Sequence, residues 1–522
     1  MTTPSASTPP VEVGTRPLRV DEVVAVARHG ARVLVSASAW EAVRRGRATI
    51  AALAKDDVPH YGISTGFGAL ATRHIPAALR TRLQQSLVRS HAAGSGPHVE
   101  REVVRALMLL RIQTLATGHT GIRPETLSAY VAMLNAGVTP IVHEYGSLGC
   151  SGDLAPLAHC ALALLGEGRV HDAAGQELPT AQAFDAAGIE PVQLEEKEGL
   201  ALINGTDGML GILCLALHDL TELLKVADVA AAMSVEGLLG TDDVFAADLQ
   251  ALRPQEGQGL SAANLRDLLA DSQIRASHRD PDACTRVQDA YSLRCSPQVA
   301  GGARDTVAHA WRIADRELAS AVDNPVVTDD GRVESNGNFH GAPVAYVLDF
   351  LAIVVADLAS ISERRSDRFL DTARNNGLPA FLADDPGVDS GHMIAQYTQA
   401  AIVSELKRLA TPASVDSIPS SAMQEDHVSM GWSAARKLRR SVDGLSRVLA
   451  IEVLTAARGI ELRAPLTPGP ASAAVVARLR ATGWQGPGSD RWLSPEIDTA
   501  VELVVSGAIL DAAQGAVGHP LR

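Results

Sequence analysis

At 522 residues, 46% of them hydrophobic, the chain can bury a large core without disulfide or metal staples. Only 3% are aromatic, so the core is aliphatic and the Ala- and Leu-rich composition favours helix over strand-rich architectures. The net charge of −14 argues against nucleic acid or an anionic membrane as a partner, because both attract basic surfaces, whereas a small zwitterion is compatible.

Residues 1–16 read as a disordered tail, Ser/Thr/Pro-rich as far as Pro10 and without the apolar core of a signal peptide. Residues 17–205 read as an N-terminal region of helices and loops, and 206–522 as a helical bundle with further C-terminal helices. The first loop with chemistry is His60-Tyr61-Gly62-Ile63-Ser64-Thr65-Gly66-Phe67-Gly68. Its glycines lack the Gly-x-Gly-x-x-Gly spacing of a nucleotide site. Next comes Ser86-Leu87-Val88-Arg89-Ser90-His91-Ala92-Ala93-Gly94. Val103 to Thr117 has helical spacing and meets a stop at Gly118.

The stretch Tyr145-Gly146-Ser147-Leu148-Gly149-Cys150-Ser151-Gly152-Asp153-Leu154-Ala155-Pro156-Leu157 carries the strongest signal. Gly152 has no side chain to stop its amide nitrogen from folding back onto the carbonyl carbon of Cys150. Closure of that ring, with loss of water from it and from Ser151, would leave a methylidene-imidazolone. No free side chain supplies such an electrophile. A short strand is expected at Arg169 to His171, and then Glu198-Gly199-Leu200-Ala201-Leu202-Ile203-Asn204-Gly205-Thr206.

Long helices follow at Met209 to Gly237, Pro343 to Phe369, Met393 to Leu409 and Ser433 to Leu462, with faces apolar enough to pack on more than one side, against helices of other subunits as well. The fold class is therefore mainly α, a long-helix bundle. Linker-like material lies at Arg253 to Leu260, Asp280 to Ala283 and Pro465 to Pro470, and a second short strand at Val333 to Glu334. Val344 to Leu358 is apolar but interrupted by Asp349 and Asp357, so no membrane span is expected. The charged runs Glu363 to Arg368 and Arg436 to Arg440 read as solvated or subunit-bridging helix faces. Between and after these helices stand Val287-Gln288-Asp289-Ala290-Tyr291-Ser292-Leu293-Arg294-Cys295-Ser296-Pro297-Gln298, then Asn338-Phe339-His340-Gly341, then Ser421-Ala422-Met423-Gln424-Glu425-Asp426-His427.

Taken together, these segments resemble those of the histidine and aromatic amino acid ammonia-lyase family, whose prosthetic group forms from Ala-Ser-Gly by the ring closure described above. Three positions depart: Cys150 stands for the usual Ala, Ser64 for an Asn, and Met423 for an Asn. The side chain of Cys150 stays outside the ring, so closure survives the change. The resemblance implies that Tyr61 is the base for a β-proton, on a mobile loop. A phenol of ordinary pKa near ~10 needs positive neighbours for that task. It implies that His91 and Glu425 recognise the substrate ring, that Asn204 bonds the prosthetic group, and that Arg294 clamps the substrate carboxylate. Gln288 and Tyr291 line the reacting centre, and Phe339 packs near the electrophile. The Gln-Glu-Asp-His run places the chain in the histidine branch, which implies L-histidine going to trans-urocanate and ammonia.

The family further implies a homotetramer whose sites borrow residues from several subunits, and no external cofactor beyond the ring from Cys150, Ser151 and Gly152. The alternative kept open is a tyrosine or phenylalanine ammonia-lyase, or an aminomutase with the same electrophile. His143-Glu144, His159-Cys160 and Asp426-His427 lack zinc-ligand spacing, so no metal is expected. Five cysteines without a Cys-x-x-Cys pair fit a cytoplasmic protein.

Overall fold

The computed structural model describes residues 9–56, 58–279, 284 and 287–522. The expected linker at Asp280 to Ala283 lies outside the described residues, as do residues 1–8 of the expected tail. The rest of that tail is corrected. Val11–Val13 is a strand, β1, paired in parallel with β2 (Val33–Val35), with Val11 and Val13 buried. Apolar side chains at alternate positions were enough to dock three residues onto a neighbour.

Two compact units make up the chain. The first comprises Met1–His218, Trp311–Asp349 and Pro412–Arg436; the second comprises Asp219–Ala310, Phe350–Thr411 and Lys437–Arg522. Every strand among the described residues belongs to the first. Besides β1 and β2, it holds β3 (Ser95–His98), β4 (Thr139–Pro140), β5 (His143–Tyr145), β6 (Arg169–His171), β7 (Glu177–Pro179), β8 (Val326–Val327) and β9 (Val333–Glu334). β3 runs antiparallel to β5, β4–β6–β7 form a small antiparallel sheet, and β8 pairs with β9.

The first unit is organised around the Arg101–Ala116 helix, buried without a break from Val103 to Ala116. A helix apolar nearly all round belongs in a core, and each of its large aliphatic side chains contributes roughly 1.5–3 kcal/mol there. Two of its polar exceptions donate to carbonyls. Arg105 donates to Val26 O and Leu134 O, and Gln113 to Gly14 O and Arg16 O. The helix ends at the expected Gly118, which has φ +86°, and a Cβ there would come within 2.6 Å of the Ala42 backbone. Gly118 thus both stops the helix and lets it lie against the neighbouring Ala37–Leu53 helix.

The second unit is helical among its described residues, with Glu256–Leu268, Met393–Leu409, Pro470–Arg480, Ser494–Val505 and Ala508–Val517 as complete helices. Glu256–Leu268 takes over most of the stretch expected as a linker from Arg253 to Leu260. The helices Asp207–Gly237, Ala342–Leu370 and Gly431–Glu461 contribute residues to both units, within two residues of the ranges read from sequence. Ala342–Leu370 is long and apolar enough to cross a membrane, yet 61% of its most apolar window is buried. The charged run on that helix is not simply a solvated face. Arg365, in the second unit, is buried and paired with Glu452, which also accepts from Ser234 Oγ at 2.7 Å.

Candidate active site

The Gly146–Asp153 loop lies between β5 and the Leu154–Leu164 helix, and it is held from two sides. On one side Gly152 bridges Gly205, and Asp153 N donates to Gly205 O at 2.7 Å. On the other, Met430 N donates to Leu148 O at 3.0 Å and Ser429 Oγ to Gly149 O at 3.3 Å. Gly152 has φ +79°, and a Cβ would sit 2.0 Å from Gly205 O. No residue but glycine fits this position.

Asp153 anchors the loop. It is fully buried and accepts from Ser147 Oγ at 2.9 Å and Met209 N at 2.8 Å, while burial pushes its carboxyl up to about 7. The Leu154–Leu164 helix starts immediately after the loop, and the Asp207–Gly237 helix starts two residues after its bridge partner Gly205. The unpaired amides of helix N-termini carry partial positive charge. Asn204 is buried; its Nδ2 donates to Asn324 O at 2.9 Å, and Oδ1 has no partner among the described residues.

Tyr61 is half-buried, edge-on to Phe67 at 6.5 Å between ring centroids, and its hydroxyl accepts from Gly68 N at 3.3 Å. Burial raises its pKa above the ordinary phenol value; the Gly68 amide opposes this, and the charges of Glu425 and Asp323 add to it. The sequence-based expectation that neighbours lower this phenol is therefore not met by the residues around it, since a half-buried ring facing two carboxylates gains nothing by ionising.

Glu425 follows a turn in which Ser421, Ala422 and Met423 all have left-handed φ, and its carboxylate accepts from Ser420 Oγ at 3.0 Å. Its charge reaches three of the expected site residues at once. It opposes the burial that lowers His91, adds to the burial that raises Tyr61, and, by charge and by hydrogen bond, helps burial push the Cys150 thiol up to about 12. His91 ends the Ala77–His91 helix, with Nδ1 3.1 Å from Ser90 Oγ. Within the first unit the fold thus gathers Tyr61, His91, Cys150 and Glu425, and it holds Ser151, Gly152 and Asn204 on the same loop and its bridge partner. Phe339 is half-buried between β9 and the Ala342–Leu370 helix.

Gln288, Tyr291 and Arg294 belong to the second unit. There Tyr291 is 72% exposed, the Arg294 guanidinium lies 4.8 Å over its ring, and Arg294 Nε is buried with no partner among the described residues. Gln288 is exposed.

Sequence reasoning missed the charged floor behind Asn204. Lys197 Nζ meets Asp323 Oδ2 at 2.5 Å with both side chains fully buried. Arg111, also fully buried, lies 3.3 Å from Asp207 and donates to Asn204 O at 2.9 Å and Val322 O at 2.8 Å. The available signal was a charged residue at the margin of an apolar run, as Lys197 is before Gly199–Ile203. A cleft of about 480 Å³ lined by Arg28, Arg101 and Arg105 holds none of the expected residues. The Arg105 and Arg101 guanidiniums there donate to backbone carbonyls.

These features can be set beside known proteins. The family model described as aromatic amino acid lyase matches residues 18–481. The chain is 64% identical over 510 residues to a Streptomyces griseus protein named histidine ammonia-lyase, covering 97% of this chain and 99% of the relative. Among solved structures, histidine ammonia-lyase from Trypanosoma cruzi superposes with a TM-score of 0.88 at 38% identity, covering 97% of this chain and 95% of that one. Tyrosine aminomutase from Streptomyces globisporus superposes with a TM-score of 0.92 at 37% identity, covering 98% and 100%. These two similar structures carry names that refer to different amino acids. With the loop, its bridge partner and the matched span agreeing, the chain belongs to the aromatic amino acid lyase family.

Proposed function

We propose that this chain removes ammonia from L-histidine without oxidation, giving trans-urocanate, the first step of histidine breakdown. It is a carbon–nitrogen lyase of the ammonia-lyase kind. The observation that carries the histidine reading is Glu425, a carboxylate beside His91 and Cys150. An imidazole N–H can bond it; a phenyl ring would cover it without offering a donor. The tyrosine and phenylalanine alternatives are not favoured, because the relatives at 62–64% identity are named for histidine.

Cys150, Ser151 and Gly152 fit a methylidene-imidazolone. Gly152 is left-handed and backed by Gly205 with no room for a side chain, and Asn204 keeps a second amide N–H for such a group. When formed, the group supplies an electrophile for the amino nitrogen of the substrate. The other residues divide the remaining work: Tyr61 takes the β-proton, His91 and Glu425 fix the imidazole, and Arg294 holds the carboxylate. Gln288 and Tyr291 line the reacting centre and Phe339 packs beside it. The unpartnered Arg294 Nε and exposed Tyr291 support a homotetramer in which a neighbouring subunit supplies the Gln288, Tyr291 and Arg294 set. The reading includes no external cofactor, no metal in the reaction, and a cytoplasmic location.

The test is near-UV absorbance of enzyme mixed separately with L-histidine, L-tyrosine and L-phenylalanine. Urocanate is expected from histidine alone; comparable acrylate product from either other amino acid overturns the assignment. Glu425→Gln is expected to lower kcat/KM for histidine about 10²-fold or more, since a neutral amide replaces a charged acceptor. An unchanged value would remove Glu425 from ring recognition.

The raised Tyr61 phenol predicts a pH dependence. A base works only when deprotonated, so the rate should climb with pH from about 7 and still be rising at about 10. A kcat/KM flat over that range would mean that Tyr61 is not the base.

A further inference from the structure

Away from the loop, on β3, β6 and β7, three side chains converge that the reaction does not use. The donor atoms of His98, His171 and Glu177 all lie within 4.8 Å of one another. We propose that His98, His171 and Glu177 form a surface site for a divalent transition-metal cation of the zinc type, which ties β3 to the β6–β7 hairpin.

The backbone sets two of the ligands. His171 and Glu177 are direct cross-strand partners in the antiparallel β6–β7 pair, so their side chains share a face. The connecting turn is held by Asp172, whose Oδ1 accepts from Ala174 N at 2.9 Å and Gln176 N at 2.8 Å. His98 comes from a different sheet, where it pairs with His143, and its ring centroid lies 6.0 Å from that of His171. Two imidazoles and one carboxylate are a donor set for zinc, cobalt or nickel rather than magnesium or calcium, which take oxygen ligands. Tetrahedral zinc with bonds of ~2.0–2.2 Å holds its donor atoms roughly 3.3–3.6 Å apart. The three side chains must close in to reach that spacing, and His98 and Glu177 are exposed.

Glu177 Oε1 accepts from Arg169 Nε at 2.5 Å. The Arg169–Glu177 pair is itself exposed on both sides. An exposed ion pair contributes only ~0–1 kcal/mol, so a divalent cation competes with it readily. Three protein ligands leave a position for water, the pattern of an exchangeable site. β3 follows shortly after His91, and its partner β5 leads directly into the Gly146–Asp153 loop. A bound cation would therefore brace the strand pair from which that loop departs.

The experiment uses the untagged full chain, stripped with a chelator and titrated with Zn²⁺ alone by calorimetry, then with Co²⁺ by visible absorbance. One equivalent per chain is expected, with a cobalt spectrum free of the thiolate charge-transfer band that the cysteines would give. Thermal unfolding should shift upward with zinc present. His98→Asn and Glu177→Gln should each weaken binding at least ~10-fold, as loss of even an outer partner of a metal does. Both positions lie on the surface, and melting in chelator verifies that each variant folds; His171→Gln serves should either fail. No uptake by the unaltered chain, a thiolate band, or binding by the variants equal to the unaltered chain would each overturn the proposal.

Discussion

Ser151→Ala is expected to leave a folded protein that has lost activity by about 10³-fold or more, the scale on which enzymes slow when the group carrying the chemistry is deleted. Alanine has no hydroxyl to leave, so the ring cannot acquire its exocyclic methylidene carbon. Among the described residues Ser151 makes no side-chain hydrogen bond that holds the loop; the anchors are Ser147, Asp153, Gly205, Ser429 and Met430. Folding should therefore be spared. Two readouts separate these effects: intact mass, in which the unaltered chain is lighter by two waters than its sequence and the variant is not, and thermal unfolding, in which the two agree. Full activity in Ser151→Ala would end the electrophile assignment.

The second large effect concerns stability. Lys197 and Asp323 are both fully buried, and burial lowers the lysine while the aspartate opposes that shift. Asp323→Ala leaves an ammonium in the core with no counter-charge, and the expected loss is ~3–5 kcal/mol, read from denaturant unfolding. Removing both charges tells a different story. Lys197→Met with Asp323→Leu should recover most of that loss, because a buried pair gains little over well-packed apolar groups. A single variant within about 1 kcal/mol of the unaltered chain would mean that water reaches the pair. Asp323 also raises Tyr61, so Asp323→Asn, if it folds, should move the alkaline limb of the rate profile toward lower pH.

The long helices were legible because apolar residues recur at helical spacing over more turns than a strand can sustain. Met393–Leu409 emerges as read, and Gly431–Glu461 is displaced by only two residues at its start. β1 was not legible, since Val11-Glu12-Val13 offers a single alternation inside a Pro- and Thr-rich stretch. In the candidate site the loop chemistry at Cys150-Ser151-Gly152 could be argued from the residues themselves. The approach of Glu425 to Tyr61 and His91 could not, because it depends on a turn of left-handed residues between Ser420 and Glu425 that composition does not announce. The direction of the Tyr61 shift was hidden as well: burial sets it, and the charges of Glu425 and Asp323, which reach it from far along the chain, add to it. Lys197 and Asp323 stand 126 positions apart, and only the fold reveals their pairing.

The two-sided grip on the Gly146–Asp153 loop also sets a timetable. Gly205 reaches it from one side, Ser429 and Met430 from the other. During synthesis the tripeptide leaves the ribosome long before Met430 does, and until then half of its restraints do not exist. The proposed ring closure, if it depends on this geometry, would have to wait for the nascent chain to be largely complete. The reactive carbon would then appear only inside a nearly finished protein, where stray cellular amines and thiols have least access to it.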